Sequence, residues 1–328
     1  MPRGRNADAG PAAMGEFALI RRFFDRGPAR RSPLGIGDDC ALVAAREHGQ
    51  IATTCDLLVE GRHFFADVSP ADLGHKSLAV NLSDLASMGA EPFGFLLSIS
   101  LPRVDEAWLA AFTEGLFALA DRYGCELLGG DTTAGPLTIS ITAFGHVPAG
   151  AALRRDGAQP GDDLWVSGEI GGPSWAVGER YAGRGAALSP SLVRRLDRPE
   201  PRVELGIELR HLASAAIDLS DGLLGDLGHV IERSRVGAEV DESALPVAPE
   251  IAAESPGKAI EFALSGGDEY ELLFAAPPEN RAAIEALGPR LGLPLTRIGR
   301  IRDGASILVH DARGRPRASL PRSHEHFG

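Results

Sequence analysis

Six short segments of the chain each place an aspartate beside glycine, serine or threonine. They are GIGDDC (35–40), TTCD (53–56), NLSD (81–84), GGDTT (129–133), IDLSDG (217–222) and SGGDE (265–269). A single aspartate in such a turn usually only caps the backbone. Six of them suit another chemistry, because carboxylates are hard oxygen ligands for Mg²⁺ and glycine lets a backbone approach a ligand closely. Without Cys or His clusters, the pattern favours Mg²⁺ or Mn²⁺ over zinc.

The same aspartates indicate phosphoryl transfer as a reaction class. Like charges repel, so the adjacent Asp38 and Asp39 need a neutralising partner, and a triphosphate needs divalent cations to approach so many carboxylates. The sequence contains neither G-x-x-x-x-G-K-[ST] nor a G-x-G-x-x-G that follows a predicted strand. A P-loop and a Rossmann dinucleotide site are therefore excluded, and phosphate would have to be bound in another way.

The composition excludes several classes of protein. A net charge of −12 argues against a nucleic-acid or anionic-membrane partner held by a basic surface. The cysteines Cys40, Cys55 and Cys125 have no C-x-x-C spacing, which fits a reducing compartment better than a disulfide framework or a zinc site. The N-terminal segment has no apolar core of signal-peptide length. We therefore expect a cytoplasmic protein with no membrane partner.

Short strands and helices in mixed order must position the aspartates. LGIGDDCALV and QIATTCDLLVEG are predicted strands, and CELLGGDTT is a predicted strand that ends in a Gly-Gly-Asp turn. A helix is expected from an N-cap at Ser69, with Pro70 at its first position, to a stop at Gly89, which places Asp84 on a helix. A second long helix, DEAWLAAFTEGLFALADRYG, should end at Gly124. This mixture predicts an α/β or α+β fold class.

The length of 328 residues favours two domains. The Gly/Pro/Arg-rich segment HVPAGAALRRDGAQPGD is the expected boundary. The predicted organisation is a disordered leader at 1–13, an N-terminal domain at 14–148 and a C-terminal domain at 149–328.

Ordered motifs along nearly the whole chain resemble one enzyme family. GIGDDCALV, LLVEGRHF, KSLAVNLSDLASMGAEP, LLGGDTT, RPEPR, AIDLSDGLLGDLGH and SGGDEYEL, between GEF at 15 and HF at 327, closely resemble thiamine-monophosphate kinases. That family belongs to the aminoimidazole-ribonucleotide-synthetase-like superfamily. The resemblance implies a two-domain fold, with an N-terminal sheet that pairs in a homodimer, a C-terminal α/β domain, and an ATP site between the domains.

The resemblance also implies roles for individual residues. The implied magnesium ligands are Asp39, Asp56, Asp84, Asp131 and Asp218, with Thr54 and Cys55 as lesser contributors and Asp221 holding a further ion. Gly130, Asp131, Arg155 and Ser220 match positions that contact ATP, and His63, Asp268 and His324 match positions that contact thiamine monophosphate. Asp39, Asp84, Asp131, Asp218 and Arg155 are the implied catalytic residues. Several Mg²⁺ ions would serve each active site.

The implied reaction needs little other machinery. The acceptor is a phosphate monoester whose second pKa is about 6, so its oxygen can attack the γ-phosphorus of ATP without a general base. Catalysis would consist of in-line positioning and charge neutralisation, with Arg155 as a fixed cation.

Several positions depart from the family pattern, and they concern mainly the acceptor pocket. Cys55 replaces a threonine or valine, G-G-D-E-Y-E-L replaces G-G-E-D-Y-E-L, so that Asp268 or Glu269 could take the substrate role, and His324 stands where a tyrosine is common. The alternatives are selenophosphate synthetase, the hydrogenase-maturation dehydratase, a purine-pathway synthetase, and a nucleotide-binding protein without turnover. The first two need cysteines that the corresponding positions here lack.

Overall fold

A computed structural model describes residues 16–27 and 46–321. Asp38, Asp39, His324 and the leader at 1–13 lie outside the described residues, so the predictions for them stay predictions. The described chain contains two open sheets of mixed strand direction with helices against them, which confirms the α/β (α+β) class.

Four strands form the N-terminal sheet. They are β1 (Gly49–Val59), β2 (Glu91–Leu101), β3 (Glu126–Ala134) and β4 (Thr138–Pro148), in the order β1-β4-β2-β3. β4 is antiparallel to both β1 and β2, whereas β2 and β3 are parallel. β1 and β3 are therefore the two edges of this sheet.

Two long helices pack together beside this sheet. After the short α1 (Glu16–Leu19) and a π-helical turn (Ile20–Phe24) come α2 (Pro70–Ser87) and α3 (Glu106–Tyr123). A Cβ added to Gly74 would lie 2.0 Å from the carbonyl oxygen of Phe112, and one added to Gly115 would lie 1.8 Å from that of Ala71. The two helices therefore touch backbone to backbone, which only glycine at these positions permits.

Six strands form the C-terminal sheet, in the order β10-β7-β9-β5-β8-β6. The strands are β5 (Asp163–Ser167), β6 (Ala215–Asp218), β7 (Gly237–Asp241), β8 (Leu272–Ala276), β9 (Leu295–Arg302) and β10 (Ile307–His310). The helices of this half are α4 (Gly172–Tyr181), α5 (Pro190–Asp197), α6 (Val203–Leu209), α7 (Leu223–Ser234), α8 (Pro249–Glu254), α9 (Pro256–Ser265) and α10 (Arg281–Leu291). Asp218 ends β6, so it lies where the sheet meets the loop that follows.

The helix α2 joins the two halves. Its Ala86 carbonyl packs against α6, where a Cβ on Gly206 would be only 2.0 Å from the carbonyl oxygen. Gly89 lies just beyond the end of α2, and its carbonyl accepts a 2.5 Å hydrogen bond from the Arg210 guanidinium. A helix that contacts both halves can place side chains of one half beside side chains of the other.

Several sequence predictions for these elements are confirmed. Ser69 accepts a hydrogen bond from the Asp72 N–H at the start of α2, and α3 is capped by Gly124 with φ of 59°. The predicted Gly-Gly-Asp turn is wrong, because residues 129–133 pair with residues 96–100 of β2 and the strand continues to Ala134. Within the described ranges, none of the helices has both the length and the apolarity to cross a membrane.

Candidate active site

The strand β1 and the helix α2 bring Asp56 and Asp84 together. The Thr54 hydroxyl donates a hydrogen bond to Oδ2 of Asp84. Two residues further along β1, the backbone N–H of Asp56 donates a 3.1 Å hydrogen bond to Oδ1 of Asn81. Asn81 lies about one helical turn before Asp84 on α2. Thr54 and Asp56 therefore lie on the face of the sheet that α2 covers.

Burial disfavours the ionised forms of the carboxylates in this group. Burial and the nearby charge of Asp84 raise the pKa of Asp56 to about 6. Burial also raises the pKa of Asp84, although the Thr54 hydrogen bond and the positive charge of Arg155 oppose that shift. Carboxylates in this state would be stabilised by a cation.

Asp218 adds a carboxylate from the C-terminal half. It is 4% exposed and accepts a 2.8 Å hydrogen bond from the Ser83 hydroxyl on α2. Burial, followed by the charge of Asp84, raises its pKa well above the ordinary value. Ser83 and Asp84 are adjacent on α2, so the helix joins carboxylates of both halves into one group.

The turn that follows β6 is held by Asp226 of α7. Oδ2 of this aspartate accepts hydrogen bonds from the backbone N–H groups of Asp221 and Gly222, at 3.2 and 3.0 Å. Burial and the charge of Asp221 raise the pKa of Asp226 to about 7. Ser220, exposed at the start of this turn, and Asp221 are thereby fixed relative to Asp218.

Arg155 supplies positive charge at the edge of the group. The side chain is exposed, and its charge lowers the pKa of both Asp84 and Asp226. Its backbone carbonyl accepts a 2.7 Å hydrogen bond from Ser234 at the end of α7. Arg155 therefore lies within electrostatic reach of both parts of the carboxylate group.

The loop before β8 places Asp268 opposite α2. The Asp268 carboxylate contacts the Lys76 ammonium and the Tyr270 hydroxyl, both at 3.2 Å. Asp268 and Tyr270 have positive φ of 62° and 52°, a conformation that non-glycine residues rarely adopt. Lys76 is 1% exposed, so the solvated helix face that is common for a lysine at such a position is absent here.

The neighbouring Glu269 points to the other side of the loop. Its Oε1 accepts a 2.7 Å hydrogen bond from the Gly171 N–H, at the start of α4. Its side chain is 2% exposed, whereas that of Asp268 is 30% exposed. Of the two carboxylates, Asp268 is therefore the one beside Lys76 and α2.

His63 lies just past the end of β1. Its Nδ1 accepts a 3.0 Å hydrogen bond from the Val59 N–H, and the ring is half-buried. The ring nitrogen Nε2 therefore points away from the strand end.

The β3 residues Gly130 and Asp131 lie at the opposite edge of the sheet from Asp56. Reading across the sheet, Asp56 pairs with Ile141, Ile141 with Leu97, and Leu97 with Gly130. Three strand spacings separate the ends of this row, about 14 Å. A Cβ on Gly130 would lie 1.8 Å from the Leu97 carbonyl oxygen, which explains the glycine.

The open face of the sheet carries the other side chains of these strands. Asp131 is exposed and pairs with Ser98, which is also exposed. The Cys55 thiol is exposed and lies 3.5 Å from the Ser140 hydroxyl, on the face away from α2. Only the backbone of Cys55 could therefore share a ligand with the Asp56 side chain.

The donor chemistry fits a hard divalent cation. The side chains of Asp56, Asp84 and Asp218 are oxygen donors, and their burial, which raises the pKa of each, disfavours an ionised form that a cation would stabilise. Across 16–27 and 46–321, no three His, Cys, Asp or Glu side chains converge on one point in the way a preformed metal site would require.

Family models match both halves of the chain. "AIR synthase related protein, N-terminal domain" matches residues 37–147, and "AIR synthase related protein, C-terminal domain" matches residues 159–311. A thiamine-monophosphate kinase from Salmonella typhimurium is 45% identical over 321 residues, which cover 96% of this chain and 99% of the relative. The chain belongs to the thiamine-monophosphate kinase family.

Solved structures of the thiamine-monophosphate kinase family share the fold. The protein from Stenotrophomonas maltophilia superposes with a TM-score of 0.84 at 47% identity, covering 93% of this chain and 98% of that one. A structure described as AaThiL complexed with AMPPCP and TMP has a TM-score of 0.74 at 30% identity, covering 95% and 97%. The hydrogenase maturation protein HypE, at 20% identity and a TM-score of 0.74, shares the fold alone.

Two residues beside the proposed thiamine-monophosphate kinase site were not assigned to it by sequence reasoning. Asp226 follows the D-L-S-D-G motif by four residues. This spacing could have indicated that a carboxylate in the first turn of the next helix contacts the backbone of the motif. Tyr270 follows Asp268 by two residues in SGGDEYEL, but the local sequence gives no signal for the positive φ that directs its hydroxyl back to that carboxylate.

Proposed function

We propose that this protein transfers the γ-phosphate of ATP to thiamine monophosphate and so forms thiamine diphosphate. The observation that carries the proposal is that α2, which holds Asp84, also contacts Asp56 of one half and Asp218 of the other. Membership of the thiamine-monophosphate kinase family and the fold of a relative complexed with AMPPCP and TMP support both substrates.

Magnesium is the proposed metal, with several ions per site. Asp39, Asp56, Asp84, Asp131, Asp218 and Asp221 would hold the ions, with Thr54 and the Cys55 carbonyl as lesser ligands. Bound Mg²⁺ would neutralise the phosphate oxygens on which charge accumulates. The raised pKa values of Asp56 and Asp218 support this assignment, because burial and the charge of Asp84 disfavour their ionised forms and a bound cation would stabilise them.

The chain's own groups then bind and orient the two substrates. Arg155 adds a fixed positive charge beside Asp84 and, with Gly130 and Ser220, would contact ATP. His63, Asp268 and His324 would hold thiamine monophosphate, and Lys76 orients the Asp268 carboxylate by their 3.2 Å contact. The acceptor phosphate is already largely deprotonated at neutral pH, so no protein group needs to remove a proton.

A homodimer through the open face of the N-terminal sheet belongs to the same proposal. Ile51 and Leu57 on β1 are 43% and 54% exposed, an unusual loss of apolar burial for a sheet face. Asp131 stands on this face at the opposite edge of the sheet from Asp56. Since about 14 Å separates their positions within one chain, we infer that Asp131 of one copy serves the site that contains Asp56 of the other.

Product analysis by chromatography tests the proposed reaction. The purified protein would be incubated with ATP, Mg²⁺ and thiamine monophosphate, beside reactions with thiamine and without acceptor. Thiamine diphosphate should form only with thiamine monophosphate, and an Asp84→Asn variant should form none. ATP binding without any phosphorylated vitamin would reject the acceptor and favour a nucleotide-binding protein that has lost turnover.

A further inference from the structure

A cavity of about 270 Å³ opens between the two halves, on the side of α2 away from the carboxylate group. Its walls come from α3, α5 and the segment 198–202, and its floor from the loop before β8. The charged residues that line it are Arg122, Arg194, Arg195, Arg198, Arg202, Glu200, Glu269 and Glu271. Five guanidinium groups against three carboxylates make this lining cationic, in a chain of net charge −12.

The charges are arranged by depth. Arg122, with 51% of its side chain exposed, and the exposed Arg194 stand at the mouth. The floor is formed by Glu269 and Glu271, whose side chains are 2% and 5% exposed. An anion entering from solvent therefore meets guanidinium groups first.

Most of these arginines have carboxylate partners, whereas one has none in the described part of the chain. Arg122 pairs with Glu200 at 2.5 Å, Arg198 with Asp72 at 3.0 Å, and Arg202 with Glu271. Arg195 pairs with Glu169 at 3.1 Å. No side chain in the described ranges forms an ion pair or hydrogen bond with Arg194, so the residues described there leave its five N–H donors available.

The floor also has an unsatisfied polar atom. Oε2 of Glu269 is buried and forms no hydrogen bond with any residue that the structure describes, although Arg195 lies 3.8 Å away. Burial raises the pKa of this carboxyl well above its ordinary value. A neutral Glu269 can donate a hydrogen bond from Oε2 to an oxygen atom in the cavity.

We propose that this cavity binds a phosphate or diphosphate group, at a site separate from the proposed ATP and thiamine monophosphate site. Guanidinium forks match phosphate oxygens, and a phosphate offers enough acceptors to engage Arg194, Arg195 and Glu269 together. The cavity exceeds the size of one phosphate, so either inorganic diphosphate or the phosphorylated end of an organic molecule would fit. This site does not depend on the proposed reaction.

The cavity is separate from the carboxylate group because neighbouring residues of the loop before β8, and of α2, point in different directions. Glu269 and Glu271 line the cavity, while the Asp268 carboxylate contacts Lys76 and the Tyr270 hydroxyl instead. His75 lines the cavity, where its Nε2 lies 2.8 Å from the Pro199 carbonyl oxygen, while the adjacent Lys76 faces Asp268.

Isothermal titration calorimetry on the full-length protein tests the proposal. The probes are inorganic phosphate, inorganic diphosphate and phenyl phosphate, in buffered chloride with EDTA so that no divalent cation recruits them to the carboxylates. The expected result is saturable binding to the wild type that Arg194→Gln weakens at least tenfold. Asp84→Asn should bind as the wild type does, and the tightest probe would identify the source of the phosphate.

Arg233→Gln is the matched control, because Arg233 is an exposed arginine on α7 outside the cavity lining. It should leave probe binding within twofold of the wild type. Equal binding by the wild type and Arg194→Gln, equal losses in both arginine variants, or no binding of any probe would overturn the proposal. Circular dichroism of each variant checks that the fold is kept.

Discussion

Asp56 and Asp226 keep their protons at pH values where an exposed aspartate has lost its own. Burial is the main cause for both, with pKa values of about 6 and about 7. Between the ordinary aspartate pKa and these values, the folded protein binds more protons than the unfolded chain. Its stability must therefore fall as pH rises through this window.

The cation-free protein should consequently be more stable at pH 5.5 than at pH 7.5. Asp56→Asn should raise the free energy of unfolding at pH 7.5 by about 1–2 kcal/mol, less than the full shift implies because the group is partly solvated. Urea denaturation in EDTA at both pH values would measure this. Asp303→Asn, at an exposed site, is the control. An Asp56→Asn variant with the wild-type pH dependence and stability would contradict the expectation.

The two lysines of the chain provide a matched pair for the acceptor pocket. Lys76 is buried against Asp268, whereas Lys258 is exposed on α9. Lys76→Met should raise KM for thiamine monophosphate about tenfold, roughly 1.4 kcal/mol, because Asp268 loses the cation that holds it. KM for ATP should change less than twofold.

Steady-state kinetics with each substrate varied in turn would test this, with Lys258→Met as the control. Equal KM values for thiamine monophosphate in the wild type and Lys76→Met would reject the positioning role of Lys76. A parallel rise in both KM values would instead indicate a general disturbance of α2.

The sequence predicted individual site residues only where those residues belong to a recognisable motif. Asp56, Asp84 and Asp218 were candidates because of their turn motifs, and the structure places all three on or against α2. The contact between Lys76 and Asp268 joins residues 192 positions apart in the chain. Local periodicity contains no information about such a pair, so the burial of Lys76 was not predictable.

At the scale of elements, the packing of α2 on α3 sets the position of the whole carboxylate group. Gly115→Ala would place a Cβ 1.8 Å from the Ala71 carbonyl oxygen. The helices would have to separate, and the free energy of unfolding should fall by about 1–3 kcal/mol. Urea denaturation would measure the loss, and activity should fall with it because α2 carries Asp84.

Gly178→Ala is the matched control for that substitution. Gly178 lies inside α4, and a Cβ there would meet no atom of the described residues within 4 Å. Alanine is the better helix former, so this variant should gain about 0.5–1 kcal/mol. If Gly115→Ala were as stable as Gly178→Ala, the backbone contact between α2 and α3 would not matter.

The elements themselves were largely predictable, and the exception has a physical reason. The limits of α2 and α3 follow from local caps and a 3.6-residue apolar period. The segment 129–133 has the composition of a turn, but its backbone pairs with β2 and continues as β3. Pairing with a distant strand overrides local preference, and the sequence does not show which strand is the partner.

At the scale of the whole molecule, the strand order β1-β4-β2-β3 separates Asp56 from Asp131. If a homodimer supplies Asp131 to the other copy's site, Asp56→Asn and Asp131→Asn should each be inactive alone. Mixed dimers would contain one intact site and one doubly changed site. Random re-association of equal amounts should therefore restore about a quarter of wild-type activity.

Activity measured after mixing, unfolding and refolding the two variants together tests this arrangement. A mixture of Asp56→Asn with Asp84→Asn is the control and should stay inactive. Asp56 and Asp84 of one chain belong to the same site, so every site in a mixed dimer would carry one of the two changes. No recovery with Asp131→Asn would mean that each chain builds its site alone.

The two-domain plan was expected from the ordered motifs, and the family matches at 37–147 and 159–311 agree with the fold class. The precise domain limits at 148 and 149 stay a prediction. The position of Asp131 on the open face could not be predicted, because face and edge depend on strand order, which the linear sequence does not specify.

The transfer of label from [γ-³²P]ATP tests the central claim most directly. With thiamine monophosphate and Mg²⁺, the wild-type protein should place the label in thiamine diphosphate, one for each ADP formed, and Asp84→Asn and Asp218→Asn should transfer none. Label appearing only in inorganic phosphate, with no thiamine diphosphate, would mean that the carboxylates at α2 support ATP hydrolysis and not phosphoryl transfer to the vitamin.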